Sequence, residues 1–131
     1  MILPLLLLAQ TPPNPDWNCD DPMAQQEMNW CAHQDYLAAD KELNAQWSVT
    51  AAEMKRRDAD SGEFMGDRKP EHFQTLLAAQ RAWITYRDAH CASEGNAFFG
   101  GSMQPLIVST CKTQLTKQRT GELRDLVEFE G

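Results

Sequence analysis

Four cysteines, Cys19, Cys31, Cys91 and Cys111, stand in amphipathic helical sequence behind a short apolar start. An even count in a small chain with an export-like leader reads as two disulfides formed in an oxidising compartment, rather than as reactive thiols or a metal set. The compartment implied is periplasmic or secreted. No other feature narrows the fold as much.

The leader is Met1-Ile-Leu-Pro-Leu-Leu-Leu-Leu-Ala9, followed by a Pro- and Asn-containing stretch to Pro15. It has the apolar core and the small terminal residue of a secretory signal, although no Lys or Arg precedes it. Nine apolar residues are too few to span a bilayer of about 30 Å, so no membrane span is expected. No cysteine follows the leader at once, so a lipid-attached form is not indicated. Residues 1–9 therefore read as a signal-peptide-like leader, 10–18 as a flexible linker and 19–131 as one domain.

The net charge is −7. A basic footprint for nucleic acid is absent, which excludes DNA and RNA as expected partners. The charge is uneven, since residues 1–52 hold seven acids, Asp16, Asp20, Asp21, Glu27, Asp35, Asp40 and Glu42, against the single Lys41.

Helical signals fill the remaining sequence. Asp21 before Pro22 reads as an N-cap with proline at the first helical position. Met28, Ala32, Tyr36, Ala39, Leu43, Trp47 and Met54 then form one apolar stripe on a helix ending near Ser61-Gly62. A second helix from Pro70 uses Phe73, Leu76, Leu77, Gln80, Trp83, Ile84, Arg87 and Cys91, and Gly95 is its expected stop. Ser102 can cap a third, burying Leu106, Ile107, Cys111, Leu115, Leu123, Leu126 and Val127, with Gly121 inside it at a cost of about 1 kcal/mol relative to alanine.

These signals predict an all-α fold, a small antiparallel three-helix bundle stapled by two disulfides. A first helix from 22 to 60 would be about 58 Å long and the others nearer 40 Å, so its far end should project or bend, with Lys55 to Asp60 and the loop from Ser61 to Lys69 as a charged, mobile tip. The topology gathers the cysteines at one pole. Proximity along the chain favours Cys19–Cys31 and Cys91–Cys111, loops that stabilise by roughly 3 kcal/mol each in the chain-entropy model. Cys31–Cys91 is the competing pairing, and spacing leaves both open. With Cys31 and Cys91 at one level, Asp35 would face Arg87 and Asp40 would face Arg81 as structural ion pairs. Arg87 lies on an apolar stripe and needs a partner there.

Catalysis finds little support. His33, His72 and His90 fall in no metal or nucleophile motif, a disulfide-bonded Cys91 is no nucleophile, and Ser102 reads as a cap. No catalytic residue, metal ligand or cofactor is expected. Trp17 and Trp30 lie off the main stripe, and exposed tryptophan marks binding surfaces, although Trp30 beside Cys31 also serves to cover a disulfide.

Five ordered blocks carry a resemblance: Glu27-Met28-Asn29-x-Cys31-Ala32; Ala39-Asp40-x-x-Leu43-Asn44; Ala79-Gln80-Arg81-Ala82-Trp83-Ile84-x-Tyr86-Arg87-Asp88-x-x-Cys91; Gly101-Ser102-Met103; and Cys111 with Leu115-Thr116-x-x-Arg119-Thr120-x-x-Leu123. Together they resemble the LprI-like family of small exported bacterial proteins, named for a lysozyme inhibitor. The resemblance implies a helical exported domain that binds a protein partner, lysozyme for at least some members. An acidic face on the first helix, with Glu27, Trp30, Asp35, Asp40 and Glu42 as candidate contact residues, would attract a basic hydrolase. The same acids also suit a helix N-terminus and keep an exported domain soluble. An envelope interaction or stress-related module without lysozyme inhibition is the alternative.

Overall fold

The computed structural model describes residues 12–61 and 68–129. The leader and most of the expected loop from Ser61 to Lys69 lie outside the described residues. Three helices are present, α1 (Gln25–Ser61), α2 (His72–Gly95) and α3 (Gln104–Glu128), with a single 3-10 turn at Asn96–Phe98 and no strand among the described residues. Among the described residues no helix is long and apolar enough to cross a membrane.

The chain runs up, down and up. α1 and α3 run side by side with nearly constant offset, as the Asn29 amide donates to Ser102 O, Thr50 Oγ1 to Leu123 O and Arg57 Nη2 to Val127 O. α2 opposes both, so Arg87 meets Asp40 of α1 and Thr116 of α3, while Gln80 meets Arg119 further down. The disulfides are Cys19–Cys31 and Cys91–Cys111, with Cα separations of 5.5 and 5.4 Å.

The central core cluster is Leu43, Met54, Leu76 and Leu123, packed against Trp47, Phe73 and Trp83, and small buried residues such as Ala32, Ala39 and Ala51 extend it along α1. Two residues of the expected stripes, Ile84 and Leu126, are exposed instead. Threonines fill part of their place: Thr50 and Thr116 are wholly buried, and Thr50 and Thr120 turn their hydroxyls onto the carbonyls of Leu123 and Thr116. A threonine that donates locally satisfies its hydroxyl and presents its methyl to the core, which a hydropathy count misses.

The helices start one to three residues later than capping rules suggest. α1 begins at Gln25 rather than after Asp21-Pro22, because the Glu27 carboxylate collects the backbone N–H groups of that region. α2 begins at His72 rather than Pro70, because Asp58 of α1 reaches across: its oxygens accept from His72 N at 2.8 Å and Phe73 N at 3.1 Å. A carboxylate from another helix thus satisfies two of the N–H groups that every helix start leaves open. Ser102 does not cap α3, and Gln104 N–H donates to Gly101 O instead.

The same contacts correct the expected projection of α1. Arg57 donates to Val127 O and Phe129 O while Asp58 holds α2, so the far end of α1 is docked. The tie from Asn29 to Ser102 fixes the near end, and the surplus length of α1 is split as about one turn beyond each tie.

Gly95 ends α2, but not by a left-handed backbone, since its φ is −62°. It is needed because a Cβ there would lie 2.6 Å from Val108 Cγ2 of α3. Around a Cβ at Gly121 there is nothing within 4 Å. Gly121→Ala should therefore stabilise the fold by about 1 kcal/mol, while Gly95→Ala should destabilise it, measured as opposite shifts in chemical denaturation midpoint. Asp58→Ala should cost about 1 kcal/mol by the same measurement, with helix content intact.

Candidate functional site

The disulfide pole gathers the start of α1, the end of α2 and the start of α3. Its first organising group is Glu27, a residue only 6% exposed. One carboxylate oxygen accepts from Asn18 N at 2.6 Å, and the other from Met23 N at 2.8 Å and Ala24 N at 3.3 Å. Three backbone N–H groups, led by that of Met23, hold the Glu27 carboxyl below its ordinary value of 4.5. The carboxylate thus ties the segment carrying Cys19 to the first turn of α1, in register with the Cys19–Cys31 bond. Glu27 is accordingly a structural residue, withdrawn from the acidic surface on which the sequence placed it.

Trp17 of this segment and Trp30 of α1 face each other, both half-buried, with ring centroids 6.4 Å apart. Trp30 follows Asn29, whose amide holds the α2–α3 loop at Ser102 O. Of the other sequence candidates, Asp35 and Glu42 are exposed on α1. Asp35 borders a shallow depression against Thr110, Thr113 and Gln114 of α3.

Arg87 forms the second organising cluster. Its side chain is 8% exposed, lies 3.8 Å from Asp40 Oδ1, donates to Asp88 at 3.0 Å and reaches Thr116 Oγ1 at 3.4 Å. The guanidinium also stands over Trp83 at 5.0 Å and Tyr36 at 5.4 Å, and Lys112 shares the Tyr36 ring. Burial raises the Tyr36 phenol above its ordinary value. Arg87 therefore pairs with Asp40 rather than Asp35, and Arg81 is exposed with no acid of α1 beside it. The sequence register assumed Cys31 and Cys91 at one level. Because each cysteine bonds elsewhere, α2 is free to sit about five residues further along α1.

Among the described residues, His90, Glu94 and Cys111 bring ligand-type atoms within 4.8 Å of one another, but the Cys111 sulfur is already bonded to Cys91. His90 stacks on Tyr86 and lies 3.7 Å from Glu94. A cavity of about 480 Å³ opens at the opposite pole, lined by Met54, Leu76, Ala79, Arg119 and Leu126 among others. A second of about 330 Å³ lies between His33, Tyr36, Pro105, Val108 and Lys112. Histidine and hydroxyl side chains line both, His72 with Thr75 in the first and His33 with Ser109 in the second.

A family model described as lysozyme inhibitor LprI matches residues 19–123. An uncharacterized protein of Rhizobium meliloti (strain 1021) is 41% identical over 129 residues, which covers 96% of this chain and 92% of that protein. No solved structure matches.

The two organising groups respond differently to substitution. Because the folded Glu27 carboxyl sits below its ordinary value, its contribution to stability is complete above that value and fades as pH falls through the lowered one. The melting-temperature gap between the protein and Glu27→Gln should be full at neutral pH and close in acid. Arg87→Ala should cost about 1–3 kcal/mol in denaturant titration, against near zero for the exposed Arg56→Ala.

Proposed function

The chain belongs to the lysozyme inhibitor LprI family, and from that membership we propose that it is an exported, non-enzymatic protein that binds and inhibits a lysozyme, in the periplasm or outside the cell. The observation that carries this reading is the family match, which takes in both disulfides and nearly the whole described bundle. Two stapled loops and an apolar leader are what an oxidising compartment favours.

The surface charge supports the same partner. With Glu27 turned inward and Asp40 on Arg87, the outward acids of the first half are Asp16, Asp20, Asp21, Asp35 and Glu42. A basic glycan hydrolase approaching this face gains encounter rate from the field, an effect that salt screens. The half-buried pair Trp17–Trp30 favours the second reading, an envelope interaction module that inhibits no lysozyme.

Purified, oxidised protein should slow cell-wall lysis by at least one lysozyme class in a turbidity assay, and lack of inhibition across animal and bacterial classes would leave the second reading. Where inhibition occurs, raising salt should lower the association rate steeply. Asp35→Lys with Glu42→Lys should lower it about 10-fold at low salt with little change in dissociation; an unchanged rate would remove the steering role of these acids.

A further inference from the structure

Between Glu94 and Lys112 the chain carries no charged side chain, the longest such stretch after residue 15 in a protein of net charge −7. It spans the end of α2, the connecting loop and the first turns of α3, at the disulfide pole. Phe98 to Gly101 form a type II turn: Gly101 N–H donates to Phe98 O at 2.8 Å, Phe99 has φ −55° and ψ 125°, and Gly100 has φ +77°. Such a turn needs glycine at its third position and sets the second residue at its outer corner. That residue is Phe99, 82% exposed, with Phe98 and Met103 partly exposed beside it.

The corner is held in place before any partner arrives. Gly100 N–H donates to Gln104 Oε1 at 3.0 Å, the Asn29 amide pins Ser102 O at 2.8 Å, and the Cys91–Cys111 bond closes the loop at its base. An apolar side chain on a fixed loop loses little conformational freedom on binding, the condition under which one aromatic becomes an anchor.

The electrostatics choose the partner. Exposed Asp20, Asp21 and Glu94 lie on the segments that meet at this pole, beside an uncharged loop. Acids around the tip oppose an anionic lipid surface and a second copy of this chain, and favour a basic protein. A glycan-hydrolysing cleft carries two carboxylates, so whatever enters it should bring no acid of its own. The outer acids suit a basic rim, and the neutral tip suits the acid-bearing, largely apolar floor of a substrate cleft.

Resting on the lysozyme-inhibitor reading, we infer that the Phe98–Met103 loop is the element that enters the substrate cleft of the target hydrolase, with Phe99 as its anchor. Phe99→Ala should raise the inhibition constant about 10-fold or more with the melting temperature unchanged. Phe129→Ala, which removes a 70% exposed aromatic at the opposite pole, should leave inhibition as it was. A soluble chitooligosaccharide should relieve inhibition competitively. If the protein inhibits but Phe99→Ala inhibits equally well, or both variants lose equally, or the oligosaccharide does not compete, the loop assignment is overturned and the inhibitor reading stands. If the unaltered protein inhibits no lysozyme, the reading falls and the assignment with it; Phe99-dependent binding to phosphatidylglycerol vesicles would then make the loop a membrane contact.

Discussion

The bond between Cys91 and Cys111 fixes the end of α2 against the start of α3, and much of the molecule follows from that junction. It sits where the two helices approach closely enough that Gly95 admits no side chain. With that distance set, the residues between have to reverse the chain in little space, through one 3-10 turn and one type II turn. Phe99, at the second position of that turn, is left exposed. Close helix spacing and a tight reversal thus go with one covalent constraint, and the Asn29–Ser102 hydrogen bond transmits it to α1.

The second constraint is polar and lies deeper. Among the described residues the central apolar cluster of the bundle is small, Leu43, Met54, Leu76 and Leu123 with three aromatics against it. Buried Arg87, Gln80, Thr50 and Thr116 extend the packing, and each finds a partner on another helix. Such groups add little net stability when satisfied and cost 1–3 kcal/mol or so each when one partner is lost. Their effect is to fix register. Arg87 has its acids, its hydroxyl and its two aromatic faces only where α2 stands against Asp40 and Thr116, so a slip of one turn would strand a buried charge.

The helices, their order, the pole of the cysteines and the pairing favoured by proximity were legible in the sequence because they depend on local periodicity and short loop closures. What was not legible depends on contacts between distant segments. Asp58 looks like part of a solvated charge run, yet it caps α2 from across the bundle. Glu27 looks like one acid among several; the sequence signal for its inward turn is weak, because Ala24 three residues before it supplies no side-chain oxygen to complete a capping box. The ion-pair register failed for a related reason, since it was measured from two cysteines that do not pair.

The acids of α1 shape the surface as well as the interior. Counting acids along α1 treats Glu27, Asp35, Asp40 and Glu42 as one face, but folding divides them by task. Glu27 and Asp40 hold the N-terminal segment and Arg87, while Asp35 and Glu42 remain in water. Charge needed for folding and charge free for a partner are therefore carried by different residues of the same helix. Substituting the outward acids can test recognition without loosening the bundle, whereas changing all four at once would confound the two. The same separation holds at the pole, where the disulfides and Glu27 build the platform and Phe99, which supports no core contact, is left free to meet something else.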